Sequence, residues 1–230
     1  LQALNLSEVE IKGGIEYPGV SGNSIMAFDD MIPEHAMSEK ETLMKLILPK
    51  KLVKIEHCAF QKCRNLTGSL VIPEGVTYIG YAAFNGCKSL TGSLYLPSTL
   101  KKIDNYGTGW GAFEECGFNC QLSLPSGLQY IGENAFSGCK GFYGELILPE
   151  TIEFLGEKAF QECIGFTGSL IIPKSLKSIG HRAFYFSTNG GFNGNLILHN
   201  DLVALGEEAF YNAGFRGELV LPEELVIIPD

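Results

Sequence analysis

The chain has 230 residues, 45% of them hydrophobic, which is enough apolar material for a sizeable core and excludes intrinsic disorder. A net charge of −9 and a pI near 5.0 argue against nucleic acid or an anionic membrane surface as a partner, since both need a basic face. No apolar run approaches the ~18 residues of a transmembrane helix, and the opening Leu1-Gln2-Ala3-Leu4-Asn5-Leu6 lacks the charged start and cleavage site of a signal peptide.

Along the chain one short pattern returns. Leu4-Asn5-Leu6-Ser7 begins a series of apolar-x-apolar-Pro tetrapeptides that end at Pro49, Pro73, Pro97, Pro125, Pro149, Pro173 and Pro222, with Leu196-Ile197-Leu198-His199 in the same slot. Between the first two lies a glycine-rich stretch near 12–31, carrying Gly13, Gly14, Gly19 and Gly22, which reads as a loop insertion or an N-terminal cap. Its Ala27-Phe28 is out of register, and the true slot is Ala36-Met37. From there Ala-Phe recurs at 59–60, 83–84, 112–113, 135–136, 159–160, 183–184 and 209–210, mostly 24 residues apart. Further insertions fall at Asn105–Trp110 and near 187–191. The last unit, 219–230, stops before its Ala-Phe, which reads either as a short cap or as the point where a longer chain continues. Residues 1–230 are thus read as one repeat domain: a divergent unit over 1–45, regular repeats over 46–218 and an incomplete last repeat.

Each position in the unit has a physical role. In Leu70-Val71-Ile72 the first and third side chains share one side of a strand while Val71 points the other way. Pro73 ends the strand because it cannot donate to a ladder. The glycine slot (Gly80, Gly132, Gly156, Gly180, Gly206) is expected at a bend with positive φ, where Asp104 is tolerated and Glu56 is strained. The phenylalanines Phe60, Phe84, Phe113, Phe136, Phe160, Phe184 and Phe210 are expected to stack as a ladder, with each preceding alanine leaving room for the ring. A single unit cannot bury its own core, so the units must stack, with parallel strands side by side in one continuous curved sheet.

The run Ile72-Pro73…Val76…Ile79-Gly80…Ala83-Phe84…Cys87…Leu90-Thr91 resembles the BspA-like leucine-rich repeats of bacterial surface proteins, over residues 4–230. The resemblance implies a right-handed β-rich solenoid of about nine coils of 23–24 residues with a continuous parallel sheet on its concave face. It also implies a secreted or surface-exposed location and adhesion to a protein ligand, with host matrix or plasma proteins as candidates. It implies neither an activity nor a cofactor.

Chemistry-bearing motifs are few. Cys63, Cys87, Cys116, Cys139 and Cys163 each come three residues after the ladder phenylalanine, which makes a buried thiol column a better reading than a metal site, since no C-x-x-C occurs. Cys58 and Cys120 lie off that column, and a Cys116–Cys120 disulfide stays open. Gly107-x-Gly109-x-Gly111 lacks the lysine of a phosphate loop, and His57 and His181 share a slot of mixed composition that reads as a solvated edge. No nucleophile, base or metal constellation is evident, so an enzyme is not expected. Functional content lies instead in the outward strand positions Ile47, Val71, Tyr95, Ser123, Ile147, Ile171, Ile197 and Val220, rimmed by Lys45, Ser69, Ser93, Gln121, Glu145, Ser169, Asn195 and Glu218. This stripe fits a contact surface for a protein ligand, or for self-association of a chain that serves as a structural spacer within a larger surface protein; alternatively, β-branched residues simply favour strands. Tyr106 and Trp110, on the glycine-rich insertion, form a second candidate that suits an aromatic anchor or a glycan.

Overall fold

The computed structural model describes residues 3–5, 30–105, 107 and 109–228. It is a parallel β-solenoid of about seven turns, with no helix among the described residues. The count of turns is below the nine expected, because the units at the two ends contribute strands without completing a described coil. The insertion expected near 12–31 lies outside the described residues up to position 29, as does Ala27-Phe28.

Most coils make two short strands separated by a turn; the apolar-x-apolar-Pro segments at 122–125, 146–149 and 219–222 are not strands. The apolar-x-apolar-Pro segment comes first, and the proline carbonyl then accepts a hydrogen bond from the amide three residues on, as in Val76 N–H to Pro73 at 3.3 Å and Leu128 N–H to Pro125 at 3.0 Å. The second strand is the pair of residues before the glycine slot. These second strands, and not the proline-ending ones, form the uninterrupted sheet. In order they are Met31–Ile32, Lys54–Ile55, Tyr78–Ile79, Lys102–Ile103, Tyr130–Ile131, Phe154–Leu155, Ser178–Ile179, Ala204–Gly206 and Val226–Ile228, all parallel. The proline-ending strands pair only locally: Ala3–Asn5 with Lys45–Ile47, Leu70–Val71 with Leu94–Tyr95, and Leu170–Ile171 with Leu196–Ile197.

The glycine slot is explained by packing between coils and not by backbone sign. None of Gly80, Gly132, Gly156, Gly180 and Gly206 has a positive φ, and Glu56 is not in the left-handed region either. A Cβ on Gly156 would instead lie 2.5 Å from the Glu133 backbone nitrogen of the preceding coil, and one on Gly206 2.3 Å from that of His181. The slot is glycine because two backbones touch there.

Positive φ occurs elsewhere, on residues that sequence alone would not nominate. It falls just before the alanine (Cys58, Ala82, Asn134, Lys158, Arg182, Glu208) and two residues past the phenylalanine (Lys62, Gly86, Glu115, Gly138, Glu162, Asn212). Positive φ at these two positions, four residues apart, leaves alternate amides facing the same side. As a result the N–H groups of Cys58, Phe60 and Lys62 all reach the next coil, donating to Tyr81, Ala83 and Asn85 at 2.7–2.9 Å. The same triplet repeats at Asn134, Phe136 and Gly138. Each left-handed non-glycine residue costs about 1–2 kcal/mol, and the inter-coil hydrogen bonds offset that cost.

The core is a double column of rings. Neighbouring ladder phenylalanines from Phe60 to Phe210 stack with centroids 5.1–5.6 Å apart and ring planes within 10° of parallel, as expected from the repeat. A second column, Phe118, Phe142, Phe166, Phe192 and Phe215, fills the slot held earlier by Leu66 and Leu90, and meets the first edge-on. Offset and T-shaped contacts of this kind add about 0.5–1.5 kcal/mol per pair beyond area burial.

Candidate functional site: two exposed rows

The five column cysteines are buried, and each thiol donates to the carbonyl of the ladder residue one coil earlier. Cys63 reaches Met37 at 2.9 Å, and Cys87, Cys116, Cys139 and Cys163 reach Phe60, Phe84, Phe113 and Phe136 at 3.0–3.2 Å. Burial pushes these thiols up, Cys63 to about 11. Their geometry is that of structural donors. Cys116 and Cys120 are both free thiols, so the open disulfide is not formed. Among the described residues no three His, Cys, Asp or Glu side chains converge as a metal site.

All eight positions of the stripe are exposed. Ile147 and Val220 are the most open, at 69% and 70%, while Leu146 and Leu148 on either side of Ile147 are buried. The alternation is therefore real: the inward leucines belong to the core and the outward aliphatics are left in solvent without need. At Leu219–Leu221 it is lost, and all three side chains are exposed. Centrally the stripe is broken at Ser123. There the segments 121–124 and 145–148 make no inter-coil backbone hydrogen bond among the described residues. Two clefts flank the break, one of about 430 Å³ bordered by Gln121, Glu145 and Ile147 and one of about 300 Å³ bordered by Glu74, Tyr95 and Ser98; both include Ser123 and Ser126.

The aromatic insertion is only partly described, since Tyr106 lies outside the described residues. Trp110 folds back across the coil edge, with the Lys62 ammonium 5.8 Å from its ring centroid, and stays half exposed. Its loop is tied down by Glu114, a half-buried carboxylate that accepts the Gly111 N–H at 3.1 Å and the Asn85 amide at 2.8 Å. Burial raises the carboxyl's pKa, and those two donors partly offset the effect. Nor is His57 a solvated edge: its ring stacks on Tyr81 at 4.4 Å and its Nδ1 accepts the Tyr81 N–H.

A second row was not anticipated. On the uninterrupted sheet, Lys54, Tyr78, Lys102, Tyr130 and Phe154 stand opposite one another in strict register. The lysine ammoniums sit 5.8 Å and 4.6 Å from the Tyr78 and Tyr130 centroids, and Tyr130 stacks on Phe154 at 4.3 Å. Tyr78 donates to Asp104 at 2.5 Å and Tyr130 to Asn105 at 2.6 Å, while Lys102 pairs with Asp104 at 2.8 Å. Burial and the Asp104 carboxylate hold the Tyr78 phenol well above its usual range. This slot changes chemistry in every coil, so it reads as variable in the repeat. The available signal was its fixed place before the inward isoleucine.

Parallel strands stacked coil on coil around a ladder of phenylalanines define a leucine-rich-repeat solenoid. The chain belongs to the BspA-type leucine-rich repeat family, whose pattern matches in six copies over residues 30–165 and 108–230. A leucine-rich repeat protein of Bacteroides ovatus superposes with a TM-score of 0.61 at 21% identity, over 99% of this chain and 59% of that one. The leucine-rich repeat protein of T. pallidum superposes with a TM-score of 0.53 at 25% identity, over 66% of this chain and 73% of its own. This chain thus spans less than two thirds of the B. ovatus protein. No curated protein matches it in sequence. Leucine-rich repeat proteins are generally non-enzymatic binding modules. No helix among the described residues is long and apolar enough to cross a membrane.

Proposed function

We propose that the chain is the ligand-binding part of an extracellular or cell-surface adhesion protein, and that it recognises a protein partner through the stripe Ile47, Val71, Tyr95, Ser123, Ile147, Ile171, Ile197 and Val220. The observation that carries this reading is the open exposure of aliphatic side chains held in line by a rigid core, such as Ile147 at 69% between two buried leucines. An aligned apolar strip of this kind on a soluble surface marks a contact site. The family's association with bacterial surface proteins supports the location and makes host matrix or plasma proteins the first partners to try. The test is binding of wild type and an Ile147→Lys/Ile171→Lys variant to an array of such proteins, with circular dichroism as the check on folding. Binding by wild type that the variant loses supports the stripe; equal binding by both places the contact elsewhere.

A further inference from the structure

We propose that the row Lys54–Tyr78–Lys102–Tyr130–Phe154 is a second, separate docking surface, built for an extended protein segment that carries two carboxylates and then an aromatic side chain. The row is preorganised: its rings and ammoniums are stacked on one another, and the two phenols and Lys102 are anchored to Asp104 and Asn105. Side chains already fixed lose little entropy on binding, and tyrosine and phenylalanine are the residues that interfaces favour.

Charge selects the partner. The chain carries −9, and Lys62, Lys88, Lys158 and Lys177 all sit against carboxylates. Lys54 and Lys101, like Lys140 and Lys174 elsewhere, have no carboxylate partner among the described residues; what sets these two apart is their place at the row, Lys54 over the Tyr78 ring and Lys101 beside Lys102, reaching across Gly127 of the next coil. Two unpaired cations on an acidic molecule attract an acidic segment. They are too few for a sulfated glycan, which needs a dense basic face.

Geometry sets the spacing. Strands lie about 4.8 Å apart, so Lys54, the Lys101–Lys102 pair and Phe154 succeed one another at intervals of about 10 Å. A segment in the extended polyproline II form has three residues per turn and rises about 3.1 Å per residue, which puts groups three residues apart on one face at about that interval. Beyond Phe154 the column stops, because the next two positions are Ser178 and Ala204. The far face of the Phe154 ring is left with no described ring or cation on it, and a planar side chain of the partner continues the stack there.

The probe is a fluorescein-labelled seven-residue peptide with glutamate first and fourth, phenylalanine last and proline between to hold the three-residue turn, monitored by anisotropy. Control peptides replace both glutamates by lysine, or the phenylalanine by alanine. Saturable binding to wild type is expected, weakened about ten-fold or more by Lys54→Glu/Lys101→Glu and about three-fold or more by Phe154→Ser or by the alanine peptide. The stripe variant Ile147→Lys/Ile171→Lys keeps full binding, which separates this surface from the one proposed above. No saturation by about 1 mM, equal affinity for the lysine peptide, or undiminished binding by the folded Lys54→Glu/Lys101→Glu variant overturns the proposal. If the peptide fails while a heparin hexasaccharide binds through the same lysines, the row is a sulfated-glycan site instead.

Discussion

Both strand rows pair parallel from coil to coil, yet one forms a sheet of nine strands and the other pairs only in patches. The difference lies in the residue that ends the strand. Most strands of the uninterrupted row end at glycine, where coil backbones meet at distances that would crowd a Cβ, and the slot residue, Glu56 and Asp104 included, gives its N–H to the previous coil, as Gly156 reaches Ile131 at 2.9 Å. The patchy row ends at proline, which has no N–H to give. On that side backbones touch locally, as Gly92 N–H reaches Gly68 at 3.0 Å and Gly194 N–H reaches Gly168 at 2.8 Å, but make no inter-coil hydrogen bond across 121–124 and 145–148 among the described residues. A solenoid can therefore be rigid along one side and open along the other, and the candidate ligand clefts at Ser123 lie on the open side.

The hardest blow to both rows is struck from the core between them. Phe136→Ala removes a fully buried ring from the middle of the stack and is expected to cost about 3–5 kcal/mol. Thermal or urea unfolding checks this. A loss below about 1 kcal/mol would mean that neighbouring rings close the gap, and that the ladder is less close-packed than its stacking distances imply.

Alkaline pH is the next lever. Burial raises the column thiols, so they stay protonated in the folded state at a pH where the unfolded chain has ionised them. A raised folded value means that stability is complete below the unfolded thiol pKa, near 8.5, and falls as pH climbs above it. Each thiol contributes a loss of about 1.4 kcal/mol per pH unit there. A Cys87→Ala/Cys139→Ala variant should therefore lose stability with pH less steeply than wild type, by about 2.7 kcal/mol per unit. Equal slopes between pH 9 and 10 would contradict the buried-donor geometry.

A paired substitution separates the two kinds of special backbone position. Gly156→Ala forces a Cβ against the Glu133 backbone and is expected to cost about 1–3 kcal/mol. Lys158→Gly, two residues on, relieves a φ of 52° and is expected to be neutral or to stabilise by up to about 1 kcal/mol. Reversed signs would mean that glycine is there for its φ after all.

That pair also marks where sequence reading reaches and where it stops. The period, the phenylalanine ladder, the thiol column and the outward positions of the stripe are all legible, because a side chain buried at a fixed step leaves the same residue at the same step. The role of glycine is not, since a missing Cβ looks the same in sequence whether it serves φ or contact. Left-handed residues such as Lys158, Glu162 and Arg182 are invisible, because inter-coil hydrogen bonds hold residues of quite different kinds in that conformation. The Lys54–Phe154 row escapes for a related reason: register across coils, not identity within a coil, is what assembles it.

The smallest expected effect is on stability of the stripe itself. Ile147 and Ile171 are 69% and 57% exposed, so replacing both with lysine removes little buried area and is expected to move stability by less than about 0.5 kcal/mol per site. β-Propensity argues for a slight loss, since lysine suits a strand less well than isoleucine. Ile171 lies opposite Ile197 in a paired patch, whereas Ile147 lies in the unpaired centre, so Ile171→Lys should cost the more of the two. Unfolding curves of the two single variants decide it. If Ile147→Lys proves the costlier, the open centre is held by side-chain contacts across the clefts, and the contrast between a rigid side and an open side fails where a ligand would have to bind.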